Sequence, residues 1–499
     1  SADPARREAA RMMIGKTLRA IVAGGIHDQL GGGFHRYTVD AAWRVPHFEK
    51  MLYDQAQLAT ACLSASQALE DPVLKAAAVD TLHYVQDQLT DADGGFRTAE
   101  DADSATVTDG AGHREGAFYV WTAAEIEAVL GASDAAVFRY IYRVRVNGNV
   151  PVDPQGEFRG QNILYREHTV AEAAANFKKP GADIDAVLAT SAHRLLAARE
   201  ARPRPLRDDK IVTAWNGLTI SAFARAAQVL RQPSYRATAE RAARFLEQKL
   251  YEPGTGRLSH RYFGGERDGR GFAEDYAFLI QGLLDLYETS FDTHWLEWAI
   301  RLQEKQIELF WDPVAGGFFA NAADDTSIVL RLKEDNEAAE PSSNSIAVRN
   351  LARLAEMLHR DEWRELAAKT ANAFSRQLEQ SPAAMGQMLA SIGWLEGSPK
   401  QVLLQGDSDS AEMGRLVDVV RRRFLPRHVL VMIDAKSRPF FEARVPFVAA
   451  LPEAEHGPAT AYVCENFVCQ LPTSDPVILA KLLENGPAPE ARATVLENR

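Results

Sequence analysis

Hydrophobic residues occur along this chain in two kinds of helical segment. Residues 234–250 mix charged and apolar positions, which predicts a helix with one solvent-facing side. Residues 272–289 are apolar around most of the helix, which predicts burial on most faces. The two kinds alternate along the chain. The buried helices are predicted to begin near Phe48, Ile211, Phe272, Ser345 and Ala383.

The connecting segments follow the same alternation, because a long loop precedes each buried helix and a short loop follows it. An aspartate followed closely by Gly-Gly-Phe recurs at Asp28, Asp91 and Asp312, with a looser match at Asp153. A recurrence of roughly sixty residues or its multiples is typical of helical hairpins. We therefore predict a mainly α chain that forms an (α/α)6 toroid, with the long loops lining one mouth.

The pattern changes in the last fifth of the chain. Short apolar runs at 402–404 and 429–433 flank an amphipathic segment at 411–423, which predicts two parallel strands joined by a helix. The predicted domains are a helical barrel over residues 1–396 and a small α/β domain over residues 397–499. No Gly-rich dinucleotide motif accompanies these strands.

Composition bears on partners more than on fold. The 499 residues are 46% hydrophobic and 25% charged, which is ordinary for a globular protein. A formal net charge of −12 disfavours nucleic acid or an anionic membrane surface as the main partner. No apolar run approaches the roughly 20 residues of a membrane-spanning helix, and the polar N-terminal segment does not predict a signal peptide. The chain begins at Ser1 rather than Met, so we expect that an upstream piece has been removed.

Cysteine usage predicts a reducing, cytoplasmic setting. Cys62, Cys464 and Cys469 are too few for a disulfide framework. Cys464 and Cys469 are five residues apart, which on one strand would place them on opposite faces and disfavours a shared metal. No spacing of histidines and carboxylates matches a strong zinc motif, so neither a metal nor a cofactor is predicted.

Candidate chemistry begins in the loop at 24–57, which combines three histidines with a glycine run. His47 and Glu49 are predicted in the first turn of the following helix, where backbone N–H groups favour an anion. One interpretation gives both residues a role in a pocket. The other makes Glu49 a helix cap and lets His47 bind a loop carbonyl.

Other long loops carry acidic residues. Asp101 and Asp103 lie close together, and neighbouring carboxylates can yield a general acid. The alternative is a solvated acidic loop or a cation site. Asp208, Asp209 and Lys210 precede Trp215 and Asn216, a combination that suits stacking on a sugar ring and hydrogen bonding to its hydroxyls. The alternative here is that Asp209 caps a helix and Trp215 lies in the core.

The same arrangement recurs at two later helix starts. Glu274, Asp275 and Tyr276 stand at the head of an apolar helix. The helix dipole explains in part why two acidic residues lie there. The other explanation is that one of them serves as a glycosidase-type acid. Asp335, Glu337 and Glu340 precede Asn344 in the corresponding position of the next buried helix. Three further histidines are predicted in mouth loops, and each alone is more often structural than catalytic: His35, His113 and His260.

Five motifs together resemble one family: PHFEKMLYDQAQL at 46–58, DDKIVTAWNGLTISAFARA at 208–226, EDYAFLIQGLLDLYE at 274–288, EPSSNSIAVRNLARL at 340–354 and AYVCENFVCQLPT at 461–473. The chain resembles the YyaL family, whose animal members are called spermatogenesis-associated protein 20. The resemblance implies a six-hairpin region related to N-acylglucosamine 2-epimerases and glycosidases. It also implies a linked N-terminal thioredoxin-like domain, which this chain lacks, so no redox motif is carried over.

Three functions remain open. A carbohydrate epimerase or isomerase needs an acid and a base with pKa values near neutrality, which His47 and His260 could supply. A glycoside hydrolase or lyase could instead use two carboxylates, such as Asp101 with Glu274 or Asp275. The third possibility is a non-catalytic module that binds a ligand or serves the thioredoxin-like domain. We expect one acidic, aromatic-walled funnel for a neutral or cationic polyhydroxyl ligand.

Overall fold

The computed structural model describes residues 3–106, 112–150, 156–451, 459–466 and 468–484. Most of these residues are helical, and the predicted class is confirmed: mainly α, of the (α/α)6 type, with a small α/β part. The chain divides into two compact units. The first unit comprises residues 1–92 and 96–210, and the second comprises residues 93–95 and 211–499. The boundary predicted after residue 396 lies inside the second unit and stays a prediction.

The first unit contains seven α-helices among its described residues, with short strands between them. The helices are α1 Pro4–Ala23, α2 Leu52–Leu69, α3 Pro72–Tyr84, α4 Ala123–Leu130, α5 Ala132–Ile141, α6 Val170–Phe177 and α7 Gly181–Glu200. The strands are β1 Tyr37–Thr38, β2 Pro46–His47, β3 Lys50–Met51, β4 Ala99–Glu100, β5 Asp103–Ala105, β6 His113–Glu115 and β7 Arg207–Asp208. One π-helical turn at Val85–Leu89 continues α3.

The second unit begins with helical hairpins and ends with the α/β part. Its helices are α8 Thr213–Leu230, α9 Pro233–Lys249, α10 Ala273–Ser290, α11 Thr293–Phe310, α12 Ser343–Leu358, α13 Asp361–Ala373, α14 Ser375–Gln380, α15 Gly386–Leu395, α16 Ala411–Arg421, α17 Arg438–Glu442 and α18 Pro476–Glu484. Its strands are β8 Ile211–Val212, β9 Tyr251–Glu252, β10 Arg257–Phe263, β11 Glu266–Arg270, β12 Lys400–Gln405, β13 His428–Ile433, β14 Thr460–Glu465 and β15 Val468–Cys469.

The predicted alternation of buried and one-sided helices is confirmed in the second unit. Helices α8, α10 and α12 are buried along nearly their whole length, whereas α9, α11 and α13 bury one face. The prediction was wrong for the helix expected near Ala383. Helix α15 buries only Met388, Ser391 and Trp394. These positions recur every third residue, so apolar residues between them, such as Leu389 and Ala390, face solvent, and the helix is not buried all round.

The aspartate–glycine motif builds the same turn twice. Asp28 accepts hydrogen bonds from turn amides, as Asp312 does in the second unit. A lysine donates to the other carboxylate oxygen, Lys50 at 2.9 Å and Lys333 at 2.7 Å. The two glycines before the phenylalanine have positive φ in both turns, and glycine adopts that conformation without strain. The motif is therefore a structural turn that fixes the backbone conformation of both segments.

The C-terminal strands confirm the prediction of a parallel pair. Strand β12 pairs in parallel with β13, from Lys400 opposite His428 to Gln405 opposite Ile433. Strand β14 adds antiparallel to the other edge of β12. The expectation that Cys464 and Cys469 face opposite sides was wrong. The chain turns at Asn466, the cysteines become cross-strand partners with Cα atoms 3.9 Å apart, and a disulfide joins them.

A third correction concerns residues 251–271, the long loop expected before the buried helix that begins near Phe272. They contain an antiparallel hairpin of β10 and β11, closed by two glycines with positive φ. A two-residue Gly-Gly connection is a strong hairpin signal. The strands are rich in charged residues and lack the alternation of apolar and polar residues that marks a half-buried strand. The sequence pattern therefore did not predict them.

Candidate active site

Solvent reaches helices α8, α10 and α12 at few positions. Ahead of the last turn of each helix, every residue is buried except five: Trp215, Arg225, Glu274, Gln281 and Arg349. All five are polar, charged or, for Trp215, able to donate a hydrogen bond. Helix α10 packs against both α8 and α12. The solvent-accessible positions of the three helices therefore mark where a ligand could reach them.

Glu274 lies in the first turn of α10 and is mostly shielded from solvent. Burial, together with the charges of Asp275, Glu334 and Glu340, raises its pKa to about 9. Among the described residues, no donor lies within hydrogen-bond distance of its carboxyl group. Glu274 therefore holds its proton at neutral pH and can donate a hydrogen bond or a proton to a ligand.

Asp275 is fully buried and makes three hydrogen bonds. It accepts from the backbone amides of Phe272 at 2.8 Å and Ala214 at 2.9 Å. Its third partner is His260 on strand β10, with 3.0 Å between Nδ1 and Oδ2. Burial lowers the pKa of His260, but the hydrogen bond and charge of Asp275 outweigh it and the pKa is raised above the ordinary histidine value. Asp275 thus orients His260 and favours its imidazolium form.

Glu340 precedes helix α12 and contacts Trp215 at the start of α8. The indole Nε1 of Trp215 donates to Oε1 of Glu340 at 2.9 Å. Oε2 of Glu340 is buried and has no hydrogen-bond partner in the described part of the chain. Burial raises the pKa of Glu340 to about 7 despite the indole hydrogen bond. A carboxyl group at this pKa exchanges its proton readily near neutrality.

These residues influence one another and form one cluster. The charges of Asp275, Glu334 and Glu340 act on Glu274, and those of Glu334, Asp275 and His260 act on Glu340. We call Trp215, His260, Glu274, Asp275 and Glu340 the acid–base cluster. It combines a protonated carboxyl, a carboxyl poised near neutrality and a carboxylate-supported histidine beside an aromatic ring.

Four other predicted ligand-binding residues of the second unit use their polar atoms for backbone contacts. Asn216 donates to the carbonyl of Val212, and Asn344 pairs with both backbone groups of Phe318. The Tyr276 hydroxyl accepts from Leu258, and burial raises its pKa to about 12. Glu337 accepts from the first amides of α15 and so caps that helix. We leave Asn216, Tyr276, Glu337 and Asn344 out of the proposed site.

His47 and Glu49 do not lie in a helix, contrary to expectation. His47 belongs to strand β2, and α2 begins five residues later at Leu52. His47 Nδ1 lies 2.7 Å from Oε1 of Glu115, while its Nε2 lies 3.8 Å from Oε2 of Glu49. Arg36 neutralises Glu49 at 3.0 Å. His47 is thus oriented by a carboxylate, and Glu115 is a partner that sequence reasoning missed.

The remaining predicted residues of the first unit lie in accessible segments. Asp101 and Asp103 are exposed, and Asp101 accepts from the amide of Asp103, which fits the solvated-loop alternative. Asp209 pairs with Arg97 and Arg207 and caps no helix, because α8 begins at Thr213 without a side-chain cap. Lys210 pairs with Asp208, and His113 is exposed. His35 is buried, and burial lowers its pKa to about 3.

The structure therefore assembles part of the predicted site in each unit. Glu274, Asp275, His260 and Trp215 were predicted and lie together in the second unit. Glu340 was predicted only as one of the acidic residues that precede Asn344, and its contact with Trp215 comes from a segment distant along the chain. One mouth that joins these residues to His47 and Asp209 stays a prediction.

Comparison with known proteins identifies relatives. The chain is 39% identical to spermatogenesis-associated protein 20 of Homo sapiens over 95% of this chain and 63% of that protein. For the protein of the same name from Mus musculus, identity is 37% over 95% of this chain and 62% of that protein. The chain is a homologue of spermatogenesis-associated protein 20. It spans less than two thirds of the length of these relatives. No family model matches the chain.

Solved structures resemble the fold at low sequence identity. A sugar epimerase from a ruminal bacterium has 11% identity and a TM-score of 0.43, covering 72% of this chain and 71% of that chain. Cellobiose 2-epimerase from Bacillus thermoamylovorans has 9% identity and a TM-score of 0.41, covering 71% of this chain and 67% of that chain. This likeness concerns the fold alone.

Two further observations bear on partners. Among the described residues, no helix has both the length and the apolar character needed to cross a bilayer. The same part of the chain contains no group of three or more His, Cys, Asp or Glu side chains arranged to hold a metal ion.

Proposed function

We propose that the acid–base cluster catalyses proton transfer on a carbohydrate, in the manner of a sugar epimerase or isomerase. One observation carries the proposal: Glu274, Glu340 and His260 are three neighbouring groups whose pKa values are all raised, two of them above the values of ordinary carboxyls. Epimerisation next to a carbonyl requires a base and an acid that both function near neutral pH.

Each member of the cluster has a distinct role in this proposal. Glu340, with its pKa near 7, acts as the base that removes a proton from the carbon beside the carbonyl. Glu274 keeps its proton and hydrogen-bonds the carbonyl oxygen, where negative charge develops. His260, whose imidazolium form Asp275 favours, returns a proton to the carbon. Trp215 offers an aromatic surface to the apolar face of the sugar ring.

Hydrolysis of a glycoside is the second candidate. It is favoured by the presence of two carboxyl groups with different proton occupancy, because glycosidases pair a protonated acid with a second carboxylate. Glu274 would protonate the leaving oxygen, and Glu340 in its ionised form would act as base or nucleophile. A module that only binds a ligand is the third candidate, and it predicts binding without turnover.

One experiment separates these functions. The protein is incubated in deuterium oxide with a panel of reducing mono- and disaccharides and with aryl glycosides, and products are followed by NMR. An epimerase or isomerase incorporates deuterium at the carbon beside the carbonyl, whereas a hydrolase releases the aglycone without that exchange. Glu340→Gln is expected to reduce turnover at least a hundredfold, since general acid–base catalysis contributes about 10²–10⁴-fold.

The matched control is Glu365→Gln on α13, whose side chain is 71% exposed. It should leave turnover unchanged. Sugar binding with no turnover of any substrate would favour the binding module. Equal turnover by the wild type and Glu340→Gln would show that the cluster does not carry the reaction.

A further inference from the structure

Two arginines are accessible to solvent far along the buried helices. Arg225 lies on α8 and Arg349 on α12, and neither has a carboxylate within ion-pair distance among the described residues. Arg349 donates one hydrogen bond, from Nη2 to the carbonyl of Pro426 at 3.3 Å. Arg225 lies ten residues after Trp215, which is about 15 Å along the helix. The arginines are thus a feature separate from the acid–base cluster.

The nearby carboxylates are already occupied. Arg353 pairs with Asp285 at 2.8 Å and with Glu288 at 3.2 Å. Asp285 also accepts a hydrogen bond from Ser221, and Glu288 accepts one from the amide of Leu430 at 3.4 Å. Both carboxylates therefore form their ion pairs with Arg353, and their charges act on Arg349 only from beyond ion-pair distance.

The surplus positive charge has an electrostatic cost. Burial, followed by the charges of Arg353 and Arg225, lowers the pKa of Arg349 to about 10. Burial lowers the pKa of His428, and the charges of Arg353 and Arg225 lower it further, although Glu288 opposes them. Partly buried like charges destabilise the protein unless an opposite charge compensates them.

We propose that Arg225 and Arg349 bind an anionic group, either a phosphate or a carboxylate. The planar guanidinium fork matches both groups. Ser221 of α8 and Arg353 of α12 both contact Asp285 of α10. Arg225 and Arg349 each lie one helical turn from those two residues, so their forks can approach one anion from two helices. Arg353 is a positioning residue, because its pairs with Asp285 and Glu288 keep those carboxylates from occupying the site. This inference does not rest on the proposed reaction. It adds an anion site to a protein whose net charge is −12.

Inorganic phosphate is the probe for the test. Thermal unfolding is followed with phosphate or chloride at equal ionic strength, and binding is measured by calorimetry. Phosphate is expected to raise the Tm of the wild type. Arg225→Gln and Arg349→Gln should each weaken phosphate binding at least tenfold. Because burial and neighbouring arginines disfavour the charge of Arg349, Arg349→Gln should also raise the Tm in chloride. Weaker phosphate binding together with an undiminished Tm in chloride distinguishes loss of the binding site from loss of the fold.

The control is Arg301→Gln, at an exposed arginine of α11. It should keep the wild-type response to phosphate. Arg349→Lys keeps the charge but loses the fork and should retain weakened binding. Glucose 6-phosphate, glucuronate and glucose are compared next, and tighter binding of an acidic sugar than of inorganic phosphate would assign the anion to a sugar. An equal phosphate response in the wild type and both glutamine variants would overturn the proposal.

Discussion

The indole of Trp215 donates its hydrogen bond to one oxygen of Glu340 and leaves the other oxygen without a partner. This contact joins the start of α8 to the loop that precedes α12. It also lowers the pKa of a carboxyl group that burial raises. The indole therefore tunes the protonation of Glu340 as well as its position.

Replacing Trp215 by Phe tests this relationship. Loss of one hydrogen bond to the carboxylate, worth about 1 kcal/mol, should raise the pKa of Glu340 by about 0.7 units. If Glu340 is the base, the acidic limb of the kcat/KM profile should move to higher pH by that amount, and activity at pH 7 should fall. Trp311→Phe, on a different loop, is the control. An unmoved acidic limb would show that Glu340 does not set it.

Glu274 should make the protein less stable as pH rises. Between pH 4.5 and about 9, folded Glu274 retains a proton that the unfolded chain has released. The free energy of unfolding should therefore fall with pH in this window, by at most about 1.4 kcal/mol per unit. Glu274→Gln should remove this slope and be more stable than the wild type at pH 8. Urea titrations at several pH values measure it, and Glu365→Gln should reproduce the wild-type slope.

The pair of His260 and Asp275 predicts a change in histidine titration. The hydrogen bond and charge of Asp275 raise the pKa of His260, so Asp275→Asn should lower it. NMR titration of the His260 ring follows the change directly. Asp292→Asn, at the N-cap of α11, should leave the titration unmoved. If the two variants titrate alike, Asp275 does not support the imidazolium.

Asn344 should matter for stability rather than for ligand binding. Its amide satisfies both the N–H and the carbonyl of buried Phe318, at 2.7 and 2.9 Å. Asn344→Ala leaves both groups unpaired, which should lower the free energy of unfolding by about 2 kcal/mol or more. Chemical denaturation measures the loss, with exposed Asn336→Ala as the control. A loss of sugar binding without any loss of stability would instead return Asn344 to the site.

His47 provides a separate prediction for the first unit. Glu115 orients its Nδ1, which leaves Nε2 as the nitrogen able to contact a ligand. His47→Gln should reduce turnover at least a hundredfold if His47 acts as an acid or base. His113→Gln, at an exposed histidine of β6, is the matched control. Turnover within twofold of the wild type would assign His47 a structural role.

Helix burial was predictable because it depends on the local period of apolar residues. The buried character of α10 and the parallel pairing of β12 with β13 follow from short stretches of sequence. The β10–β11 hairpin was missed because its charged strands lack that period. The pairing of Cys464 with Cys469 was missed because one residue in the left-handed region, Asn466, reverses the chain.

The chemistry of individual site residues was harder to predict. Glu274 and Glu337 are both glutamates near the start of a buried helix. Glu274 has no hydrogen-bond donor among the described residues, whereas Glu337 caps α15. The difference is set by which backbone amides the folded loops bring near each carboxyl group. Sequence shows that a polar group is present, but its partners come from segments distant along the chain, as with Trp215 and Glu340.

The paired amide contacts also determine where loop length can vary. Phe34 is held by Gln55, 21 residues away, and Phe318 is held by Asn344, 26 residues away, through the same pair of hydrogen bonds. Loops of different length therefore end on equivalent anchors. Residues inserted between the phenylalanine and the helix can lengthen the loop without moving the helix. The loop can therefore diversify while the packed helices stay constant.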